Sequence, residues 1–139
     1  PDPLSPDFAR DAFERALGSR RKQIKALLQE QTSLAGIGNA YSDEILHRAR
    51  IAPAVHAALL DGDERDRLFA ATTTVLRAAV ADRRGLAPEQ LKPAKVAAMA
   101  VHGRGGEACP VCGTTIVDRV FSGASAQLCP HCQPERSPA

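Results

Sequence analysis

Two C-x-x-C pairs, Cys109-Pro-Val-Cys112 and Cys129-Pro-His-Cys132, constrain this chain more than any other feature. They are its only cysteines, and 16 residues separate the pairs. That spacing reads as a tetrahedral zinc site. Each knuckle presents two thiolates from a tight turn, and the segment between is long enough for a β-hairpin that brings the knuckles together. Gly113 supports the first turn. Thr114-Thr115-Ile116-Val117 and Val120-Phe121 have strand composition, with a turn near Ser122-Gly123. Disulfides are the first alternative, but they need an oxidising compartment, to which nothing here points. A redox C-x-x-C is the second, but it normally stands alone near a βαβ pattern. Four protein ligands leave no open coordination position. The expectation is one structural zinc ion on Cys109, Cys112, Cys129 and Cys132. His131, inside the second knuckle, is expected to be a bystander. So short a segment buries little core, so metal affinity becomes part of its folding free energy.

Upstream of the cysteines the pattern is helical. Ser5-Pro6-Asp7 is a helix-start signal, with Ser5 as N-cap and Pro6 at the first helical position. Phe8, Ala9, Ala12, Phe13, Ala16 and Leu17 make one apolar stripe, which Gly18 ends. A second helix is expected from Arg21 to Glu30, with Ile24, Leu27 and Leu28 inward and Lys25 on a different face. Gly36, Gly38 and Asn39 then break the helix, and Asn39 is a candidate N-cap for a third. In that helix Tyr41, Ile45 and Ala49 share a face, and Pro53 stops it. A long fourth helix follows Asp61-Gly62-Asp63, and Gly85 ends it. The stretch from Leu86 to Val101 contains Pro88 and Pro93 and is expected to form a short helix or turns.

The bulk numbers limit the function classes. At 139 residues the chain holds one or two small domains. No apolar run approaches the ~20 residues that cross a bilayer, and no basic region precedes an apolar stretch at the N-terminus, so neither membrane nor signal peptide is expected. The linker-like opening, Pro1-Asp-Pro-Leu-Ser-Pro6, suggests a piece of something longer. Net charge is only +2, less than a strong stand-alone nucleic-acid binder carries. Basic residues do cluster, at Arg20, Arg21, Lys22 and Lys25, at Arg48 and Arg50, and at Arg83 and Arg84. Solvated helix faces are the plain explanation. With no Trp and one Tyr, a surface that stacks single-stranded bases is not expected.

The turn at Gly36-Ile37-Gly38-Asn39 carries the functional expectation. Backbone N–H groups at a Gly-rich turn feeding a helix N-terminus make an anion site. By spacing alone, an ordinary interhelical turn with a capping Asn is the commoner outcome.

The run Gln29-Glu-Gln-Thr-Ser-Leu-Ala-Gly-Ile-Gly-Asn39-Ala-Tyr41-Ser-Asp-Glu44, with Ile51-Ala-Pro53 after it, resembles the helix–two-turns–helix of the formamidopyrimidine-DNA glycosylase / endonuclease VIII family. Val101-His-Gly-Arg104-Gly-Gly-Glu107-Ala-Cys109 and the two knuckles resemble that family's terminal zinc finger. Both motifs stand in the family's order and together cover most of the chain. The resemblance implies a mainly α fold: a linker remnant at 1–7, a helix–two-turns–helix domain at 8–100, a β-hairpin zinc finger at 101–133 and a tail at 134–139. It implies a cytoplasmic, nucleoid-associated monomer whose partner is the phosphate backbone of duplex DNA. Family members flip a damaged nucleotide out of the duplex. They attack with an N-terminal proline amine and then cleave the strand. Residue by residue, Asn39 matches a phosphate-gripping asparagine, and Gly36, Ile37 and Gly38 match the backbone around it. Lys25 matches a lysine near the DNA phosphate. Tyr41 and Glu44 match positions that pack and hold the turn.

Two departures narrow what the resemblance implies. The family nucleophile is a proline followed by glutamate at the start of a mostly β domain. Pro1 is followed by Asp2 and sits in linker-like sequence, so Pro1 is given no catalytic role. The expected activity, a DNA glycosylase and lyase acting on oxidised or alkylated bases, then belongs to a parent protein. This chain is expected to be its non-catalytic, DNA-binding part. The family finger also carries an arginine between its knuckles, where this chain has Ala124. The rival expectation is a non-catalytic zinc module that binds a protein partner.

Overall fold

In the computed structural model the described residues are 2–5, 8–18, 20–30, 37–121 and 124–135. The elements are α1 (Arg10–Leu17), α2 (Ile24–Leu28), α3 (Asn39–Ala49), a 3-10 turn (Ala57–Leu59), α4 (Gly62–Arg83), α5 (Pro88–Ala98), β1 (Val117–Phe121) and β2 (Ala124–Leu128). The fold is therefore mainly helical with a two-stranded hairpin, as expected. No described helix is long and apolar enough to cross a membrane.

The apolar stripes meet in one core. Phe13, Leu17, Ile24, Leu27, Leu28, Ile37, Ile45 and Leu68 are all fully buried in it. Each such side chain contributes about 1.5–3 kcal/mol relative to exposure. Phe8 stacks on Phe69, and Phe13 meets both rings edge-to-face, with ring centroids 5.4–6.1 Å apart. This cluster anchors α1 to α4.

The start of α1 differs from expectation. Pro6 and Asp7 lie outside the described residues, and Ser5 is not an N-cap. Its carbonyl instead accepts from Phe8 N at 3.1 Å, and the helix begins at Arg10. Phe8 is in the core before the helix starts. The second helix is also shorter than expected. Backbone groups of residues 20–24 bond across to residues 55–58, including Ile24 N to Val55 O at 2.8 Å and Ala57 N to Lys22 O at 2.9 Å. Those pairings hold 20–23 extended. Arg20 and Lys22 therefore lie on an extended stretch and not on the solvated helix face expected of them, and both pair with Glu30.

Helix α4 starts where expected. Asp61 accepts from Glu64 N at 2.8 Å, and Glu64 returns the bond to Asp61 N at 3.0 Å, a reciprocal cap. Residues 88–98 form a full helix with Pro88 in its first turn and Pro93 inside it. Arg50 ends α3 with φ 62°, the only non-glycine residue at positive φ among the described residues. That conformation costs a side-chain-bearing residue roughly 1–2 kcal/mol. Arg50→Gly is expected to raise the unfolding free energy by about 1 kcal/mol, measured by urea denaturation.

The hairpin is antiparallel, pairing Val117 with Leu128 and Phe121 with Ala124. Strand β1 starts later than its composition suggested. Thr114 and Thr115 pair instead with the segment before the first knuckle, through Cys109 N to Thr114 O at 2.8 Å and a bridge between Ala108 and Thr115. The proposed turn at Ser122-Gly123 lies outside the described residues.

Candidate zinc centre and phosphate-facing turn

The two knuckles are built alike. Gly113 N donates to Cys109 O, and Gln133 N to Cys129 O, each at 2.8 Å. Gly113 sits at φ 81°, which explains why glycine follows the first knuckle. The four Sγ atoms lie within 4.8 Å of one another. Individual separations are 3.4 Å (Cys112–Cys129), 3.6 Å (Cys112–Cys132) and 3.9 Å (Cys109–Cys132). Zinc–thiolate bonds of about 2.3 Å in a tetrahedron place sulfurs about 3.8 Å apart, so these residues fit one zinc ion. Backbone N–H groups of Val111 and Cys132 point at Cys109 and Cys129 Sγ, each at 3.4 Å. Thr114, through its side chain and its backbone N–H, pushes the Cys112 thiol down to about 6, whereas burial pushes the Cys129 and Cys132 thiols up. His131 is exposed and does not belong to the cluster.

The finger is docked on α3. The Glu44 carboxylate accepts from three consecutive backbone N–H groups, Ala100 at 2.6 Å, Val101 at 3.0 Å and His102 at 2.9 Å. Glu44 was expected to hold the Gly-rich turn; it holds the entry to the finger instead. Its position on α3 points it there, away from residues 37–38. Gln133 Nε2 donates to Ile51 O at 3.0 Å, and Gln133 Oε1 accepts from Cys129 N at 3.0 Å. The second knuckle is thereby tied to the end of α3. Tyr41 packs partly against the core, with the Lys95 ammonium 4.6 Å above its ring.

The turn is only partly as expected. Gly36 lies outside the described residues. Ile37 is fully buried and holds the segment to the core. Gly38, not Asn39, is the N-cap of α3, and no side chain caps the helix. Asn39 is its first helical residue. A Cβ added at Gly38 would meet nothing within 4 Å, so the backbone there is open to an approaching group. The first-turn N–H groups have no intrahelical acceptor, and no acidic side chain occupies that turn. Among the described residues, Asn39 Oδ1 is buried and has no hydrogen-bond partner.

Lys25 requires a larger correction. It was expected on a face apart from the core. The side chain is 2% exposed. Its Nζ donates to Asp43 Oδ1 at 2.6 Å, Ser42 Oγ at 2.8 Å and Asn39 O at 3.2 Å. An ammonium has three protons, and all three have protein acceptors. Burial pushes the Lys25 pKa below its ordinary value, against the opposing pull of Asp43. The cation thus braces the first turn of α3 from beneath. Asp43, 1% exposed, also bonds His102 Nδ1 at 2.7 Å and accepts from Gln127 N at 3.3 Å. Turn, core and finger therefore meet at one carboxylate. Sequence reasoning gave Asp43, Ser42, His102 and Gln127 no role. The available signal was that Asp43, Glu44 and His47 share one side of α3.

Comparison with known proteins bears on this arrangement. A family model described as the formamidopyrimidine-DNA glycosylase H2TH domain matches residues 1–90, and one described as a zinc finger found in FPG and IleRS matches residues 106–134. A formamidopyrimidine-DNA glycosylase-like protein of Mycobacterium tuberculosis, described as uncharacterized, is 41% identical over 133 residues, covering 96% of this chain and 83% of that protein. The formamidopyrimidine-DNA glycosylase of Thermus thermophilus is 39% identical over 142 residues, covering 97% of this chain and 53% of the enzyme. The crystal structure of the Thermus thermophilus MutM (Fpg) protein superposes with a TM-score of 0.84 at 38% identity, over 99% of this chain and 54% of that one. A complex of Lactococcus lactis Fpg with abasic-site DNA gives 0.81 at 30% identity, over 97% of this chain and 51% of that one. The chain thus spans about half the length of the relatives named as glycosylases.

Proposed function

The chain belongs to the formamidopyrimidine-DNA glycosylase H2TH family, and we propose that it is a DNA-holding part that grips a duplex phosphate at the turn before α3. In this reading the first-turn N–H groups of α3 and the Asn39 amide hold the phosphate, with Ile37 and Gly38 shaping the approach. Gly36, though outside the described residues, is part of the same turn by sequence. The observation that carries the reading is the open first turn of α3. No side chain caps it, no acidic residue occupies it, and the backbone at Gly38 has nothing within 4 Å of a would-be Cβ. Its N–H groups and the Asn39 Nδ2 are donors, which an anion can accept from. Lys25 supports the grip indirectly, by holding the Asn39 carbonyl. The parent activity is base excision and strand cleavage at oxidised or alkylated bases. The chain by itself is proposed to be non-catalytic, since it offers no proline amine followed by glutamate.

The test is a salt titration of duplex DNA binding by fluorescence anisotropy. Phosphate contacts fix position without reading bases, so affinity should be insensitive to sequence and fall steeply with salt. Asn39→Ala is expected to weaken binding by about 1.5–3 kcal/mol, the worth of a hydrogen bond to a charged group. The slope against salt should stay unchanged, because no charge is removed. Lys25→Met should also leave the slope unchanged, whereas a direct phosphate contact would lower it by about one ion. Absence of binding, or indifference to Asn39→Ala, would favour the protein-binding zinc module. A borohydride-trapped adduct between the chain and damaged duplex would overturn the non-catalytic assignment.

A further inference from the structure

One zinc ligand is reached from outside the finger. His47 lies on α3, 62 positions before Cys109, and its Nε2 stands 3.3 Å from Cys109 Sγ. His47 is 6% exposed and Cys109 3%, so both residues are largely shielded from water. We propose that His47 is a positioning residue for the zinc centre, donating its Nε2–H to the Cys109 thiolate and tying the metal to the helix that begins at Asn39.

Four thiolates on one dication leave excess negative charge on the sulfurs, and N–H donors disperse it. Two of the donors are the backbone groups of Val111 and Cys132, each 3.4 Å from a sulfur within its own knuckle. His47 supplies a side-chain donor at shorter range, and it comes from the helical part. Low polarity around the buried pair strengthens such a bond and makes its loss costly. The rest of the helix face agrees in direction. Asp43, one turn earlier, holds His102 and Gln127 N, and Glu44 holds the backbone of residues 100–102. His47 is the member of this set that touches a metal ligand. It is not a ligand itself, since the four thiols form a closed cluster without it. Partners of this kind orient the ligands and tune the metal they bind. The proposal is independent of DNA binding.

The test uses the full chain loaded with zinc or cobalt(II). In the zinc-loaded wild type, a long-range proton–nitrogen NMR spectrum reads the His47 tautomer. The Nε2–H form is expected; the Nδ1–H form has nothing to donate and overturns the proposal, whatever any variant does. His47→Phe keeps bulk but loses the donor. Competition with a chromogenic chelator should show a 10- to 100-fold loss of zinc affinity, on the order seen when such partners are removed. The thiolate-to-cobalt charge-transfer band should move to lower energy, because an unbonded thiolate gives up its electrons more easily. His47→Gln places an amide nitrogen near the lost Nε2 and should restore both readouts. If His47→Phe matches wild type in band and affinity, or if His47→Gln is as defective as His47→Phe, the ring only fills space and the proposal fails.

Discussion

Removing zinc with a chelator is expected to melt β1, β2 and both knuckles while α1 to α4 stay folded. The finger has almost no core of its own. Its buried cluster is Val101, Cys109, Ile116 and Cys129, with Cys132 packed beside it, so most of its interior is the metal site. Zinc binding in small fingers is worth about 10–16 kcal/mol at neutral pH, more than the buried Val101, Ile116, Ala126 and Leu128 supply. The helical part has its own core, from Phe8 through Leu76, and does not need the metal to close it. Backbone amide spectra before and after chelation separate the two. Signals of residues 107–133 should collapse towards the unfolded range, and those of residues 62–83 should barely move. Amides of Ala100, Val101 and His102, held by Glu44, should then exchange faster with solvent. Global unfolding on chelation would show instead that the finger holds up the helices.

The second large effect is expected at Lys25. Lys25→Met should lower the unfolding free energy by about 3–5 kcal/mol, because it leaves a buried carboxylate without its cation. The Met side chain fills similar volume, so packing loss is a minor part of that figure. The same change frees Ser42 Oγ and the Asn39 carbonyl from their shared donor. Asp43→Asn should cost a similar amount, since it leaves the buried ammonium without its counter-charge and weakens the acceptor facing Gln127 N. Urea denaturation of both variants checks this. An ammonium exposed at the surface would give a change within about 0.5 kcal/mol in either case, and such a result would falsify the buried-brace account.

The contrast between Cys109 and Lys25 shows where sequence reasoning works. The four cysteines were legible because their chemistry is local: a C-x-x-C turn fixes two thiolates whatever surrounds it. The apolar stripes of α1, α3 and α4 were legible because burial imposes a period. The boundary errors arise where backbone groups bond outside the expected element. Residues 20–24 bond to residues 55–58, far along the chain, while Ser5 bonds Phe8 and Thr114–Thr115 pair with residues 108–109 close by. Strand β2, Ala124-Ser-Ala-Gln-Leu128, carries no strand composition of its own and forms by pairing with β1.

Sequence alone therefore determined the four-cysteine cluster, the mainly helical class and most of the apolar faces. Tertiary structure alone decided what the charged residues do. Lys25 is identical in sequence to a solvated lysine. Only the convergence of α2 and α3 surrounds its ammonium with Asp43, Ser42 and the Asn39 carbonyl. Glu44 and His47 look like surface residues of a helix until the finger folds onto that helix. A charge acquires its role from the groups within about 4 Å of it, and those groups come from segments far apart in the chain. Hydrophobic burial and knuckle spacing repeat along the sequence and can be read there; the partner of a buried charge is set by the packing of the whole.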